Sequence, residues 1–336
     1  MNPERLRALV GDIFTRAGMV EANARTVADV LVWADLRGMG SHGVMRVPRY
    51  IDFMRRGDLN PRPSMKATMS GATITIDADR AAGPIAMTHA TALAVAKAQE
   101  TGIALALVRS TTHTGAIGYY TQLGARNGMA TIAITASVPN MAYHGARAAG
   151  VSTAPLSIAV PGEDEPLALD MGSGVISIGK LAQARRSGET LAPGLALDAT
   201  GEPTTDPRAA TIPLPLGGPK GSGLALLIEC LSSLLAGNPI LAEALEGTPK
   251  GKRHYQNALL IAIDVARFLP LPEFRQQVKR LIGAIKALPA QDGAEILVPG
   301  ERGARNARRT TEVKLPASVL EELRTLANSL GVEMPA

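Results

Sequence analysis

A change of hydrophobic period near residue 65 constrains this chain more than any other feature. Before it, apolar residues recur every three or four positions. Leu6, Leu9, Val10, Ile13 and Phe14 line a first helix that Gly18 ends, and Val20, Ala24, Val27, Val30, Leu31 and Ala34 line a second that Gly38 stops. Ser41 is placed to cap a third, with Val44, Val47, Tyr50, Ile51 and Met54 on its apolar side; Pro48 should kink that helix or shift its start. The segment Asn60-Pro61-Arg62-Pro63 breaks the pattern. Beyond it, short apolar runs predict strands at 72–77, 103–108, 129–137, 155–160, 166–171 and 257–264. Helices are expected at 83–102, about 117–127, 177–187, 222–236, 272–287 and 316–330. Strands and helices interleave, so the fold class is α/β with α+β character. Both ends read as helical, so residues 1–65 and 305–336 are expected to form one discontinuous helical domain beside an α/β domain of residues 66–304.

Composition narrows the function. Apolar residues make up 46% of 336, enough for a sizeable core, yet no apolar run reaches the roughly 20 residues that span a bilayer. The opening MNPERLRALV has no apolar block with a small-residue cleavage site, so no signal peptide is expected. The single cysteine, Cys230, cannot form an intrachain disulfide or a thiolate zinc cluster, and a reducing cytoplasm is expected. Aromatics at 3% argue against stacking platforms for nucleic acid. The net charge of +5 arises in residues 248–336, with 14 basic and 9 acidic side chains. There Arg302, Arg305, Arg308 and Arg309 read either as a solvated helix face or as a site for a phosphate-bearing ligand.

No early strand is followed by G-x-G-x-x-G, so the ordinary Rossmann fingerprint is missing. A G-x-x-x-x-G-K-[ST] loop and a G-x-S-x-G elbow are missing too. His42, His89, His113, His144 and His254 lack zinc spacing, and no metal is expected. Three glycine-rich segments remain. RSTTHTGAIGYY (109–120) joins a strand to a helix start, where backbone N–H groups can hold an anion; it also reads as an ordinary loop. LPLGGPKGSGLALL (214–227) sets Lys220 among four glycines before a helix, as a phosphate or carboxylate site or as a flexible turn. In PLALDMGSG (166–174), Asp170 ends a strand and suits a ribose hydroxyl or a turn cap.

One further segment carries acid–base chemistry. With Ser41 as cap, His42 and Arg46 are four residues apart and share a helix face. The helix N-terminus would lower the imidazole pKa, and the guanidinium fork matches a carboxylate. That pair suits a 2-oxo acid: the arginine holds the carboxylate while the histidine protonates the adjacent carbonyl. The alternative is a helix cap with two surface groups.

Taken together, GSHGVMRVPRY (40–50), HTGAIGYY (113–120), LDMGSG (169–174), GEPTTDP (201–207), GGPKGSGLAL (217–226) and ILVPGE (296–301) resemble the type-2 malate/L-lactate dehydrogenase family, in order and over nearly the whole chain. That group also holds ureidoglycolate and sulfolactate dehydrogenases, diketogulonate reductase and piperideine/pyrroline-2-carboxylate reductases. The resemblance implies a cytoplasmic homodimer with a non-Rossmann, mixed-sheet nucleotide-binding domain, NAD or NADP as cofactor, and a small carboxylate as substrate. It makes His42 the proton donor, Ser41 its relay partner, Arg46 the carboxylate clamp, Thr153 a substrate contact and His113 a catalytic base on the cofactor loop. His113, Thr114, Gly115, Ala116, Ile117, Ser137, Asp170, Met171, Gly172, Gly179, Lys220, Gly221, Gly300, Glu301, Arg302 and Arg305 would line the dinucleotide. The charges of Arg302 and Arg305 tilt the expectation towards NADP. Three stretches depart from the family's usual pattern: YHGA (143–146) stands where the family commonly has a proline and paired glycines, STAP (152–155) replaces G-T-N-P, and DMGSG replaces Asp-Met-Ala-Thr-Ser. They leave room for a cyclic imine acid reductase, or for a nucleotide-binding homologue without catalysis. Nucleic acid and membrane partners are not expected.

Overall fold

The computed structural model describes residues 1–248 and 255–335; His254 lies outside them. The first helices form where the 3.6-residue period runs: α1 (Pro3–Arg16), α2 (Glu21–Leu36) and α3 (Val47–Arg55). They are followed by α4 (Gly83–Thr101), α5 (Gly118–Arg126), α6 (Ile178–Ser187), α7 (Pro219–Glu229), α8 (Leu241–Leu245), α9 (Leu271–Lys286), α10 (Glu301–Arg309) and α11 (Ala317–Ser329). The strands are β1 (Lys66–Ser70), β2 (Thr73–Asp77), β3 (Ile103–Thr111), β4 (Met129–Ser137), β5 (Met141–Ala142), β6 (Ala149–Val151), β7 (Leu156–Val160), β8 (Leu167–Met171), β9 (Ala196–Leu197), β10 (Pro203–Thr204), β11 (Ile212–Pro213) and β12 (Gln256–Asp264). No helix among the described residues is long and apolar enough to cross a membrane.

Seven strands form one sheet in the order β1-β2-β3-β12-β4-β7-β8. Only β2 and β3 are parallel neighbours, and α4 supplies the crossover that a parallel pair requires. All other neighbours are antiparallel. Strand β12 enters the middle from far along the chain and sets Ile261 between Leu105 and Ile132. Side chains alternate across the sheet. Ile74, Ile76, Ala106, Val108, Ala258 and Leu260 face the main core with α1 to α4 and α11, whereas Leu107, Ile134 and Leu259 face α7. Ala86, Ala90, Ala94 and Ala98 recur every four residues on α4, and all are fully buried. Such small side chains bring the helix axis close to the strands.

Two expectations about elements change. The third helix does not begin at Ser41. Residues Gly40–His42 and Val44–Arg46 form two 3₁₀ turns, and the α-helix opens at Val47 with Pro48 in its first turn. Gly43 is extended between the turns (φ −88°, ψ −157°) and interrupts the helical ladder. Strand β1 was invisible to periodicity because it is a sheet edge with every residue exposed, so neither face is marked as apolar. The segment 301–309 is a helix, as its solvated-face reading required, and it packs against α2. The chain ends meet: Met1 and Val313 exchange backbone hydrogen bonds of 3.0 and 2.8 Å, and α11 packs on α3.

Candidate active site

The turn that links α2 to α3 carries Ser41, His42 and Arg46. The Arg46 Nε donates to the Ser41 carbonyl at 2.6 Å, and Ser41 Oγ lies 3.1 Å from His42 Nδ1. Beneath the turn is Asp35, whose Oδ2 accepts the Val44 amide at 2.8 Å. A methyl group at Gly43 would overlap that carboxylate, 1.9 Å from Oδ1, so glycine is required for packing rather than for its backbone angle. Burial, opposed by the Val44 hydrogen bond, raises the Asp35 carboxyl to about 7. His42 is pushed down to about 4, first by desolvation in its recess and then by the Arg46 charge. The lowered pKa expected from a helix dipole is therefore present with a different cause, because no α-helix starts at His42 and Ser41 caps none.

Tertiary packing brings His113 to this turn. Its ring stacks on His42 with centroids 5.8 Å apart and planes 17° from parallel. Tyr50, fully buried on α3, reaches His113 Nδ1 at 2.8 Å and the His113 carbonyl at 3.0 Å. The loop beyond is fixed from several sides. The Thr114 amide and hydroxyl both donate to Gln256 Oε1, Tyr120 donates to the Thr114 carbonyl, and Gly115 turns the chain at φ +72°. Ala116 and Ile117 are buried in the protein. The Gly118 amide, at the start of α5, donates to Asp170 Oδ2 at 2.9 Å, and a methyl there would stand 2.7 Å from that oxygen. Asp170 is exposed to solvent, yet desolvation by the surrounding protein, opposed by the Gly118 hydrogen bond, raises its carboxyl to about 6.

A second wall faces the β8 end. The Thr153 amide donates to Asn140 Oδ1, and its carbonyl accepts from Ser173, one residue past Gly172. Ser173 in turn accepts from Leu216, and Gly221 packs against that pair too tightly for any side chain. Ser137 closes β4 beside Ser152, whose hydroxyl lies 3.4 Å from its amide. Gly179 lies on Ser41: a methyl at 179 would approach Ser41 Cβ to 2.3 Å, so α6 packs on the turn that carries Ser41 and His42. Met171 is half-buried and Lys220 is exposed; the Lys220 amide donates to the Gly217 carbonyl at 3.4 Å. Gly300 abuts the Ala168 carbonyl of β8. Beyond it, Glu295, Leu297, Arg302, Arg305, Asn306 and Arg309 line a groove of about 340 Å³. Arg305 is spoken for by Glu295 and Glu301, and Glu301 is held near 2, chiefly by its Lys286 hydrogen bond, leaving Arg302 and Arg309 as the uncommitted cations of the groove.

The family model described as malate/L-lactate dehydrogenase matches residues 1–324. The chain belongs to the malate/L-lactate dehydrogenase family. The L-sulfolactate dehydrogenase of Methanocaldococcus jannaschii is 36% identical over 99% of this chain and 98% of its own length, and its solved structure superposes with a TM-score of 0.90. The malate dehydrogenase of Pyrococcus horikoshii is 34% identical over 98% of this chain and 95% of its own length. The Δ1-piperideine-2-carboxylate reductase structure from Pseudomonas syringae, 26% identical, covers 97% of this chain and 99% of that chain at a TM-score of 0.84. Membership in the malate/L-lactate dehydrogenase family makes the chain an oxidoreductase acting on hydroxy acids.

The malate/L-lactate dehydrogenase fold gathers Ser41, His42, Arg46, His113 and Gly179 in one cluster and Thr153, Gly172 and Gly221 in another, with Asp170 tying the His113 loop to β8. Sequence reasoning passed over Asp35, Asn140 and Gln256, and took Tyr50 for an apolar core residue. No local signal marks them. Each acts through a partner 9 to 142 positions away in the chain.

Proposed function

We propose that the chain interconverts a small 2-hydroxy acid and its 2-oxo acid with NAD or NADP. The observation that carries this reading is the stacked His42–His113 pair beside Arg46, an acid–base group and a carboxylate clamp on one turn. Arg46 uses Nε on the Ser41 carbonyl, which aims the rest of the guanidinium fork at a carboxylate. His42 is neutral at pH 7, so in the oxidative direction it accepts the substrate hydroxyl proton, with Ser41 holding Nδ1. In the reductive direction a carboxylate bound at Arg46 cancels the charge that helps to keep His42 unprotonated, and so prepares it to donate.

The cofactor fits the residues present. Gly118, Gly172 and Gly221 close their loops tightly on Asp170, Thr153 and Leu216, so the backbone of the proposed lining is held in place by the protein. The Ser173 hydroxyl, 1% exposed, lacks a hydrogen-bond partner among the described residues and lies beside Gly172. When bound, the nicotinamide supplies or takes the hydride; the chain's part is to orient the substrate and handle the proton. Thr114, Asp170, Met171, Lys220 and the segment from Gly300 belong to the same proposed lining. A lean towards NADP rests on Arg302, since Arg305 is engaged by two carboxylates.

The same proposal makes the protein a cytoplasmic homodimer with a helical unit of 1–65 and 305–336 beside the catalytic unit 66–304. Leu227, Leu231 and Leu235, each at least half exposed on and just after α7, support the dimer. A second reading, a cyclic imine acid reductase, is favoured by the likeness to the Pseudomonas syringae structure. Assays of malate, lactate and sulfolactate against the 2-oxo acids and pyrroline- or piperideine-2-carboxylate, each with both cofactors, separate the two. His42→Ala should lower kcat by roughly 10²–10⁴-fold, the usual worth of a positioned acid. Unchanged turnover would remove His42 from the mechanism.

A further inference from the structure

Tyr50 bonds the same residue twice. Its hydroxyl oxygen stands 2.8 Å from His113 Nδ1 and 3.0 Å from the His113 carbonyl oxygen, and the tyrosine is wholly buried. A phenol has one proton, and a carbonyl oxygen only accepts. If that proton went to Nδ1, two oxygens would face each other at 3.0 Å in a dry site with no proton between them. Both bonds are satisfied in one arrangement: Tyr50 donates to the carbonyl and accepts from Nδ1–H. A neutral imidazole protonated at Nδ1 has its lone pair at Nε2. Phenolate is not an alternative, because burial raises the Tyr50 hydroxyl above its usual range.

We propose that Tyr50 is a positioning residue that fixes His113 as the Nδ1–H tautomer, so that in the stacked His42–His113 pair His113 presents an acceptor at Nε2. The inference rests on the functional reading above only for its consequence; the tautomer itself follows from donor and acceptor counting. It gives the two histidines different parts. Ser41 meets Nδ1 of His42, whereas a buried phenol meets Nδ1 of His113. A proton accepted by His113 must arrive at Nε2, next to a His42 ring that resists becoming charged. The sequence carries this device as a tyrosine nine residues after Ser41, which periodicity had assigned to the core. α3 turns that residue towards the loop after β3.

The test reads the tautomer directly. Long-range ¹H–¹⁵N correlation spectra of the ¹⁵N-labelled full chain at pH 8, with His113 assigned by its absence in His113→Gln, should show a pyrrole-type Nδ1 and a pyridine-type Nε2. A pyridine-type Nδ1 in the wild-type protein overturns the proposal, and this arm needs no altered tyrosine. In Tyr50→Phe the pattern should shift towards Nε2–H, with kcat for the preferred 2-hydroxy acid lowered about 10-fold and KM within about 3-fold, a smaller loss than the roughly 10²–10⁴-fold that removing the proton-transfer group itself would cost. A folded Tyr50→Phe protein with the wild-type tautomer and wild-type kcat also overturns it. If the wild-type tautomer is as stated but no hydroxy or imino acid is turned over, the functional reading fails and the assignment of Tyr50 stands.

Discussion

Replacing Gly43 by alanine tests how rigidly the catalytic turn is held. The new methyl would stand 1.9 Å from Asp35 Oδ1, 2.2 Å from Cγ and 2.4 Å from Oδ2. Gly43 has φ −88°, an angle open to any residue, so the whole effect is steric. Relief needs a movement of roughly 1 Å by one partner or the other. If the carboxylate moves, it releases the amide of Val44, a fully buried residue. An unsatisfied buried donor costs about 1–3 kcal/mol, and overpacking costs a similar amount. A combined loss of about 2–6 kcal/mol should lower Tm by roughly 3–9 °C in a chain of this size. If the turn moves instead, His42 and Arg46 move with it, and a 1 Å misplacement costs about 10²-fold in rate. Thermal unfolding and steady-state kinetics on the same preparation distinguish these routes. In the double variant Gly43→Ala with Asp35→Ala, the methyl has room, so kcat should recover while Tm stays low because Val44 still lacks its acceptor. A Gly43→Ala protein with kcat within about 3-fold of wild type and an unshifted Tm would refute the idea that Asp35 and Gly43 define the turn.

Three further outcomes are expected. Arg46→Lys should raise KM for the hydroxy acid roughly 10–10²-fold, since the charged hydrogen bonds of a fork are worth about 1.5–3 kcal/mol; an unchanged KM would move the carboxylate elsewhere. His42 has a folded pKa of about 4 against an ordinary 6.5, so between these values the unfolded chain binds the extra proton at that ring, and the His42 contribution to stability falls as pH drops, while the raised carboxyls Asp35 and Asp170 contribute in the opposite sense. His42→Gln should remove its contribution, so that relative to wild type the variant gains stability as pH falls from 6.5 to 4 in denaturant titrations; an unaltered difference across that window would show that His42 does not titrate there. Arg302→Ala should raise KM for NADPH about 10-fold and leave NADH unaffected if the groove receives a phosphate; equal effects on both cofactors would argue against phosphate recognition there.

Much of the fold was readable because its elements obey simple periods. Helices α1, α2 and α4, and strands β3, β4, β7, β8 and β12, lie within a few residues of where spacing put them. The edge strand β1 was hidden because all its residues are exposed, and the pairs β5–β6 and β9–β11 because two- and three-residue strands carry no period. At the candidate site, Ser41, His42 and Arg46 were singled out by type and spacing, and His113 took its part from the family resemblance. The turn that holds the first three was misread as a helix, because spacing does not reveal an extended glycine over a carboxylate.

The sequence by itself determined the fold class, the helical ends, the family and the side chains proposed to carry the chemistry, since these depend on periodicity, turn residues and ordered motifs. Tertiary structure alone decided that β12 splits β3 from β4, that His113 stacks on His42 and that Tyr50 serves His113. It also moved the origin of the low His42 pKa from a helix dipole to a desolvated recess beside Arg46. The physical reason is the same throughout: desolvation, register and donor–acceptor pairing depend on which distant segments meet, and local spacing holds no record of that meeting.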